Sequence, residues 1–210
     1  MFPHTVETER LRLERLTTDD TRALYEHTRA GAPHIDEITR HVGWEPHATP
    51  KATHDFVTAM EEGWEKRENA TYVVRTREGE PLAGEVGGTT GLGFEWDRRR
   101  GTLGLWLREP LWGRGYSGER AGALLELAFE HLSLEVVAVT HDPENEQSRR
   151  AIEKYVDRFG GRREGTERNA LANPDGSVGD AVRYSVSCEE WCEATGGDED
   201  DGTAVTFHWD

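Results

Sequence analysis

A chain of 210 residues, 35% hydrophobic and 31% charged, is long enough for one domain with a continuous core beneath a sheet and too apolar to stay disordered. Its 41 acidic against 25 basic residues give a net charge of -16, which argues against nucleic acid or an anionic membrane as partner, because affinity there rests on Lys and Arg neutralising phosphates. Lys51, Lys66 and Lys154 are the only lysines, and such an acidic, arginine-dominated surface predicts a halophilic protein, soluble where salt screens its self-repulsion within a few Å.

No apolar run approaches the length that spans a bilayer, and residues 1–10 lack the basic-then-apolar order of a signal peptide, so a cytoplasmic location is expected. In residues 10–16, Leu11 and Leu13 alternate with Arg10, Arg12 and Glu14, the period of a half-buried strand. Thr17 or Thr18 then caps a helix whose first turn carries Asp19 and Asp20, acids suited to its positive end. Thr49 and Pro50 open a second helix with Phe56, Val57, Met60 and Trp64 on one face.

Tyr72, Val73 and Val74 mark a strand over residues 71–76, and a turn at 78–81 leads into a glycine-rich strand over 82–94. After a turn at 97–101, residues 102–108 form a short apolar strand that Pro110 ends. From Gly118 onward Ala121, Leu124, Leu125, Ala128, Phe129 and Leu132 recur at helical spacing, and a buried strand follows over 134–139. Ser148, Ala151, Ile152, Tyr155, Val156 and Phe159 define the next helix, which Gly160 and Gly161 end. Closing strands are expected over 163–170 and 181–187, joined through an Asn173-Pro174-Asp175-Gly176 turn. Cys188 and Cys192, spaced i,i+4 beside a helical stretch, read as packing residues and not as a disulfide or metal pair. The domain therefore spans 1–194. Residues 195–210 form an acidic tail, in which the alternating Val205, Phe207 and Trp209 offer a strand to a sheet edge or a partner.

The chemistry concentrates in Trp112-Gly113-Arg114-Gly115-Tyr116-Ser117-Gly118-Glu119-Arg120, which joins a strand to an amphipathic helix. Amides there converge on an anion at the positive helix end, and glycines admit close approach. Gly113, Gly115 and Gly118 also satisfy the dinucleotide fingerprint, with Asp142 beyond the next strand. That reading is set aside because Arg108 to Trp112 intervene between strand and first glycine, and too little chain follows for a second nucleotide-binding half. A nucleoside triphosphate loop is excluded by the lack of Gly-Lys-Ser/Thr.

Residues 112–117 resemble the Trp-Gly-Lys/Arg-Gly-Tyr-Ala/Ser loop of the RimJ/RimL-type branch of the GNAT acetyltransferase superfamily. Asn145-Glu146-Gln147-Ser148 resembles that branch's Asn-x-x-Ser helix, with weaker matches at Thr8-Glu9-Arg10-Leu11-Arg12-Leu13 and Arg163-Glu164-Gly165. The resemblance runs from about Thr8 to Ser187. It implies an α/β (α+β) fold: a mixed, mostly antiparallel sheet with central splayed parallel strands and about four flanking helices. It further implies acetyl-CoA as co-substrate, with no metal, and direct transfer to a primary amine, above all a protein N-terminus. A small-molecule or antibiotic amine, and a coenzyme-binding sensor without turnover, are the rival readings. A homodimer is compatible with the resemblance.

By that resemblance the loop residues Trp112, Gly113, Arg114, Gly115, Tyr116, Ser117 and Gly118 hold the coenzyme diphosphate, and Leu105, Trp106 and Leu107 run beside its pantetheine arm. Asn145 bonds that arm or orders water, besides capping its helix. Arg114, Arg120, Arg149 and Arg150 supply a local basic pocket. Ser148 donates a proton to the departing thiolate, and Glu164 matches a position sometimes cast as the base. Trp44 and His47 form part of the acceptor wall. The spacing of His34, His41, His47 and His54 matches no metal site. The chain departs from the branch at Thr102 and Leu105, where relatives often carry an acid and a Tyr, and in the lengthened helix end 154–160.

Overall fold

The computed structural model describes residues 1–173, 176–196 and 205–209. Its strands are β1 (Thr5–Glu7), β2 (Leu11–Arg15), β3 (Asn69–Thr76), β4 (Gly88–Glu95), β5 (Arg100–Leu107), β6 (Val136–His141), β7 (Arg162–Ala172), β8 (Val178–Ser187) and β9 (Thr206–His208). They form one sheet in the order β7-β8-β6-β5-β4-β3-β2-β1-β9. Every neighbouring pair is antiparallel except β5 with β6. The helices are α1 (Thr21–Thr28), α2 (Ile35–Thr39), α3 (Pro50–Glu65), α4 (Tyr116–Glu126), α5 (Glu146–Arg158) and α6 (Cys188–Thr195).

Strand alternation sorts the core into two layers. Leu103, Leu107, Leu111, Leu124, Ile152 and Tyr155 belong to the larger layer, between the sheet and α4 and α5. Leu16, Leu24, Val57, Val73 and Val86 form the smaller one beneath α1 and α3, with Phe56, Met60 and Trp106 half-buried against it. The helix α3 starts where expected: Thr49 accepts a hydrogen bond from the Ala52 amide and Pro50 fills the first position, which needs no donor.

Among the described residues six α-helices stand where about four were expected; α2, with five residues, is too short for periodicity to register, and α6 is the helical stretch beside which the two cysteines were placed. A capping box between Ser187 and Glu190 opens α6, and its two cysteines are unbridged. The glycine-rich strand expected over 82–94 begins only at Gly88. Residues 82–87 instead turn, with Leu82 at φ +59° and the Gly84 amide bonded to the Thr76 carbonyl. β9 pairs antiparallel with β1, and Phe207 lies 4.7 Å from the His131 ring. The acidic stretch 197–204 lies outside the described residues. Among the described residues no helix is long and apolar enough to cross a membrane.

Candidate active site

The parallel pair opens the site. β5 and β6 are hydrogen-bonded to each other only from Arg100↔Val136 to Leu103↔Val139, after which β5 continues to Leu107 against β4 and β6 to His141 against β8, with no pairing between them. The gap leaves backbone donors and acceptors for an extended amide chain lying along a strand. A cleft of about 1660 Å³ runs through it, lined by both strands, the 112–118 loop, the first turns of α4 and α5, and residues of α1, α2 and α3. That exceeds the roughly 300–1,000 Å³ of an ordinary small-molecule pocket, so a long coenzyme arm and an acceptor fit together.

At one end the loop presents its amides. Gly113 and Gly115 stand at φ +72° and +86°, a region L side chains rarely adopt. The Gly115 carbonyl accepts from the amides of Gly118 and Glu119, whereas those of Gly113, Arg114, Gly115, Tyr116 and Ser117 meet no protein acceptor among the described residues. Five open donors at a helix N-terminus make an anion site. Arg120, the fifth residue of α4, lines the same cleft. Its side chain is 2% exposed, its Nε and Nη1 lack partners, and no carboxylate pairs with it among the described residues. Its guanidinium sits 5.9 Å from the centre of the Tyr155 ring, whose hydroxyl is also unpartnered. Burial lowers the Arg120 pKa. A buried cation without a counter-charge costs several kcal/mol unless an anion arrives, so the loop and Arg120 fit the same charge.

A brace sets the loop's position. Glu119 accepts from the Thr8 hydroxyl at 2.6 Å, the Arg10 amide at 2.8 Å and Arg10 Nε at 2.7 Å. Burial opposes the Arg10 cation, but the Glu119 hydrogen bond and charge outweigh it and raise its pKa. Arg10 Nη1 also donates to the Arg114 carbonyl at 3.0 Å. The Thr8–Arg10 segment thereby ties the start of β2 to the loop and α4. The Tyr116 hydroxyl donates to Glu80, and burial, then this bond, push its pKa up to about 12, so the phenol keeps its proton.

Ser148 and Asn145 line the cleft at the start of α5, where Asn145 Oδ1 accepts from the Ser148 amide at 2.9 Å. Trp112 lines it too, donating through Nε1 to the Leu107 carbonyl at 2.8 Å. Opposite, His47 Nδ1 lies 2.7 Å from the Thr53 hydroxyl and 3.2 Å from that of Thr28. Burial lowers its pKa, leaving the ring neutral at pH 7. The rings of Trp44 and His47 are 5.7 Å apart, and those of Trp44 and Trp106 5.8 Å. His41 Nδ1 meets Asp142 Oδ2 at 3.1 Å, joining the segment after α2 to the turn before α5.

Three expected residues sit elsewhere. Glu164 is absent from the cleft wall; it accepts from the Ser185 hydroxyl at 2.5 Å within the β7–β8 ladder and lies near Arg162. Arg149 also lies off the cleft, paired with Glu146 and Glu153 along α5, and helical rotation brings Arg150 to the wall instead. Trp106 lines the cleft from the α3 side, since alternation along β5 turns it opposite to Leu105 and Leu107. The sequence reading missed the Glu119 brace, whose carboxylate looks like an ordinary first-turn acid, and the cleft-lining Phe56 and Met60, which shared a helical face with buried Val57.

Residues 10–155 match the model of the acetyltransferase (GNAT) domain family. A protein of T. thermophilus, provisionally described as an acetyltransferase, is 30% identical and superposes with a TM-score of 0.73 over 94% of this chain and 96% of its own. A ribosomal-protein-S5-alanine acetyltransferase from Vibrio fischeri is 17% identical, with a TM-score of 0.67 over 89% of this chain and 98% of its own. The microcin C7 self-immunity acetyltransferase MccE, solved with acetyl-CoA and AMP, is 13% identical, with a TM-score of 0.73 over 85% and 93%. At these last two identities the likeness is one of fold. No curated protein matches the sequence.

Proposed function

The chain belongs to the GNAT acetyltransferase family, and from that premise we propose that it acetylates the α-amine of protein N-termini, as a member of the RimJ/RimL-type branch. As a family member it is an acetyl-CoA-dependent N-acetyltransferase. The observation that carries the coenzyme assignment is the five open amides at the head of α4 beside the uncompensated Arg120. Together they suit a diphosphate, and the unpaired edge of β5 beyond Leu103 suits the amide arm that follows it.

The amine, once deprotonated, attacks the thioester carbonyl directly. Ser148, on the cleft wall at the head of α5, is the proposed proton donor to the departing thiolate. Ser148→Ala is expected to lower turnover at least about tenfold with coenzyme affinity little changed, the pattern of a contact made late in the reaction. Unchanged turnover would remove Ser148 from the mechanism.

The acceptor assignment rests on proton chemistry. Thr102 and Leu105 put no acid on β5; on the acceptor wall burial lowers the His47 pKa, and His41 and Asp142, which also line the cleft, are engaged with each other. With reference pKa values of about 8 and about 10.4, roughly one α-amine in ten is neutral at pH 7, against fewer than one lysine in a thousand. A site without a strong base suits the former. Two proteins that share the fold, one of Vibrio cholerae provisionally described as a ribosomal-protein-serine acetyltransferase and the ribosomal-protein-S5-alanine acetyltransferase of Vibrio fischeri, are named for protein acceptors, which supports a protein over a small amine. The charge of -16 and the three lysines support a salt-rich cytoplasm as its setting. Two peptides test the acceptor: one with a free N-terminus and no lysine, the other N-terminally blocked with an internal lysine. A higher specificity constant on the first is expected; equal or higher efficiency on the second would overturn the assignment.

A further inference from the structure

The acceptor side of the cleft has a floor and a wall of opposite character. Gly91 of β4 opposes Gly104 of β5. Residues directly opposed in a sheet share a face, and the Thr71 hydroxyl, opposite Gly91, lies 3.5 Å from the Met60 sulfur. The glycine pair therefore faces α3. A Cβ at Gly104 would meet nothing within 4 Å, so the missing side chain leaves open space above the sheet, just past the point where β5 and β6 part.

Around this floor stand Trp44, Phe56, Met60 and Trp106, each half-buried and each lining the cleft. Their fully buried neighbours Leu24 and Val57 complete the core beneath them. Part of each wall side chain is thus left for a ligand to cover. Trp44 meets Trp106 edge-on, and His47 lies 6.1 Å from Phe56, so the wall is continuous.

Resting on the α-amine reading above, we infer that this trough is a specificity pocket for the side chain of the acceptor's first residue, and that it selects a bulky apolar residue over a small polar or charged one. Covering half-exposed apolar surface with apolar surface is favourable, whereas a charged side chain there would lose water without gaining a partner. An apolar pocket discriminates by one to two orders of magnitude and not more.

The test uses the full chain with acetyl-CoA and peptides differing only in the first residue, Leu or Phe against Ser or Asp. A specificity constant at least about tenfold higher for the apolar pair is expected, and Phe56→Ser should bring the Leu-to-Ser ratio towards one. A ratio near or below one in the unmodified protein, or a ratio that Phe56→Ser leaves intact, overturns the pocket. Should no free N-terminus be acetylated while small amines are, the α-amine reading fails separately. Phenethylamine against ethanolamine then decides the pocket by the same ratio. No turnover on any amine overturns both.

Discussion

Gly115→Val is expected to weaken acetyl-CoA binding at least about a hundredfold, equivalent to about 2.7 kcal/mol, while the chain stays folded. Two effects act together. At φ +86° a β-branched residue is strained by roughly 1–3 kcal/mol, and the backbone relieves this by rotating the amides that flank position 115 away from their common focus. The new side chain also occupies the approach to those amides. Space itself is not limiting inside the protein, since the nearest atom to an added Cβ is Arg10 Nη2 at 3.5 Å. The strain is small beside a domain stability of about 5–15 kcal/mol. Calorimetric titration with acetyl-CoA, alongside thermal unfolding, separates the outcomes. A folded variant with unchanged affinity would remove the loop as the diphosphate site.

The second large effect falls on stability. Glu119→Ala should cost about 3 kcal/mol, because it strips the counter-charge from Arg10 and an acceptor from the buried Thr8 hydroxyl. The lower end of the range for buried pairs applies, since the Arg10 side chain keeps 32% exposure against 7% for Glu119. The carboxylate's burial also makes the pair less sensitive to salt than a surface one. Coenzyme affinity should fall with it, because Arg10 reaches the Arg114 carbonyl in the loop. Denaturant midpoints at low and high salt measure this. A loss under about 1 kcal/mol, vanishing at high salt, is the signature of a surface pair and would contradict the brace.

The first of these effects falls where sequence was informative and the second where it was not. The loop was legible: glycines between a strand and an amphipathic helix leave few alternatives to an anion site, and Asn145 was legible as a cap. Arg120 was legible as a cation but not as a buried one, because its surroundings come from Tyr155, thirty-five positions along the chain, once α4 and α5 pack. Glu119 gave no signal for the same reason: its partners Thr8 and Arg10 lie at the other end of the domain. Glu164 and Arg149 were assigned by position along a motif, and the β7–β8 ladder and the rotation of α5 carried them off the cleft. The face of Trp106 was readable by counting from Leu105, since a period of two fixes it. The depth of the acceptor trough was not, because the glycines that floor it leave no side-chain pattern.

The central claim is that this cleft transfers an acetyl group to an α-amine. The most direct measurement follows free thiol release from acetyl-CoA in high salt, with the lysine-free peptide present or absent, and the mass of that peptide after reaction. Peptide-dependent thiol release, with one acetyl group gained at the N-terminus, is the predicted result. Tight coenzyme binding with no thiol release on any amine would contradict it and leave a coenzyme-binding protein without turnover.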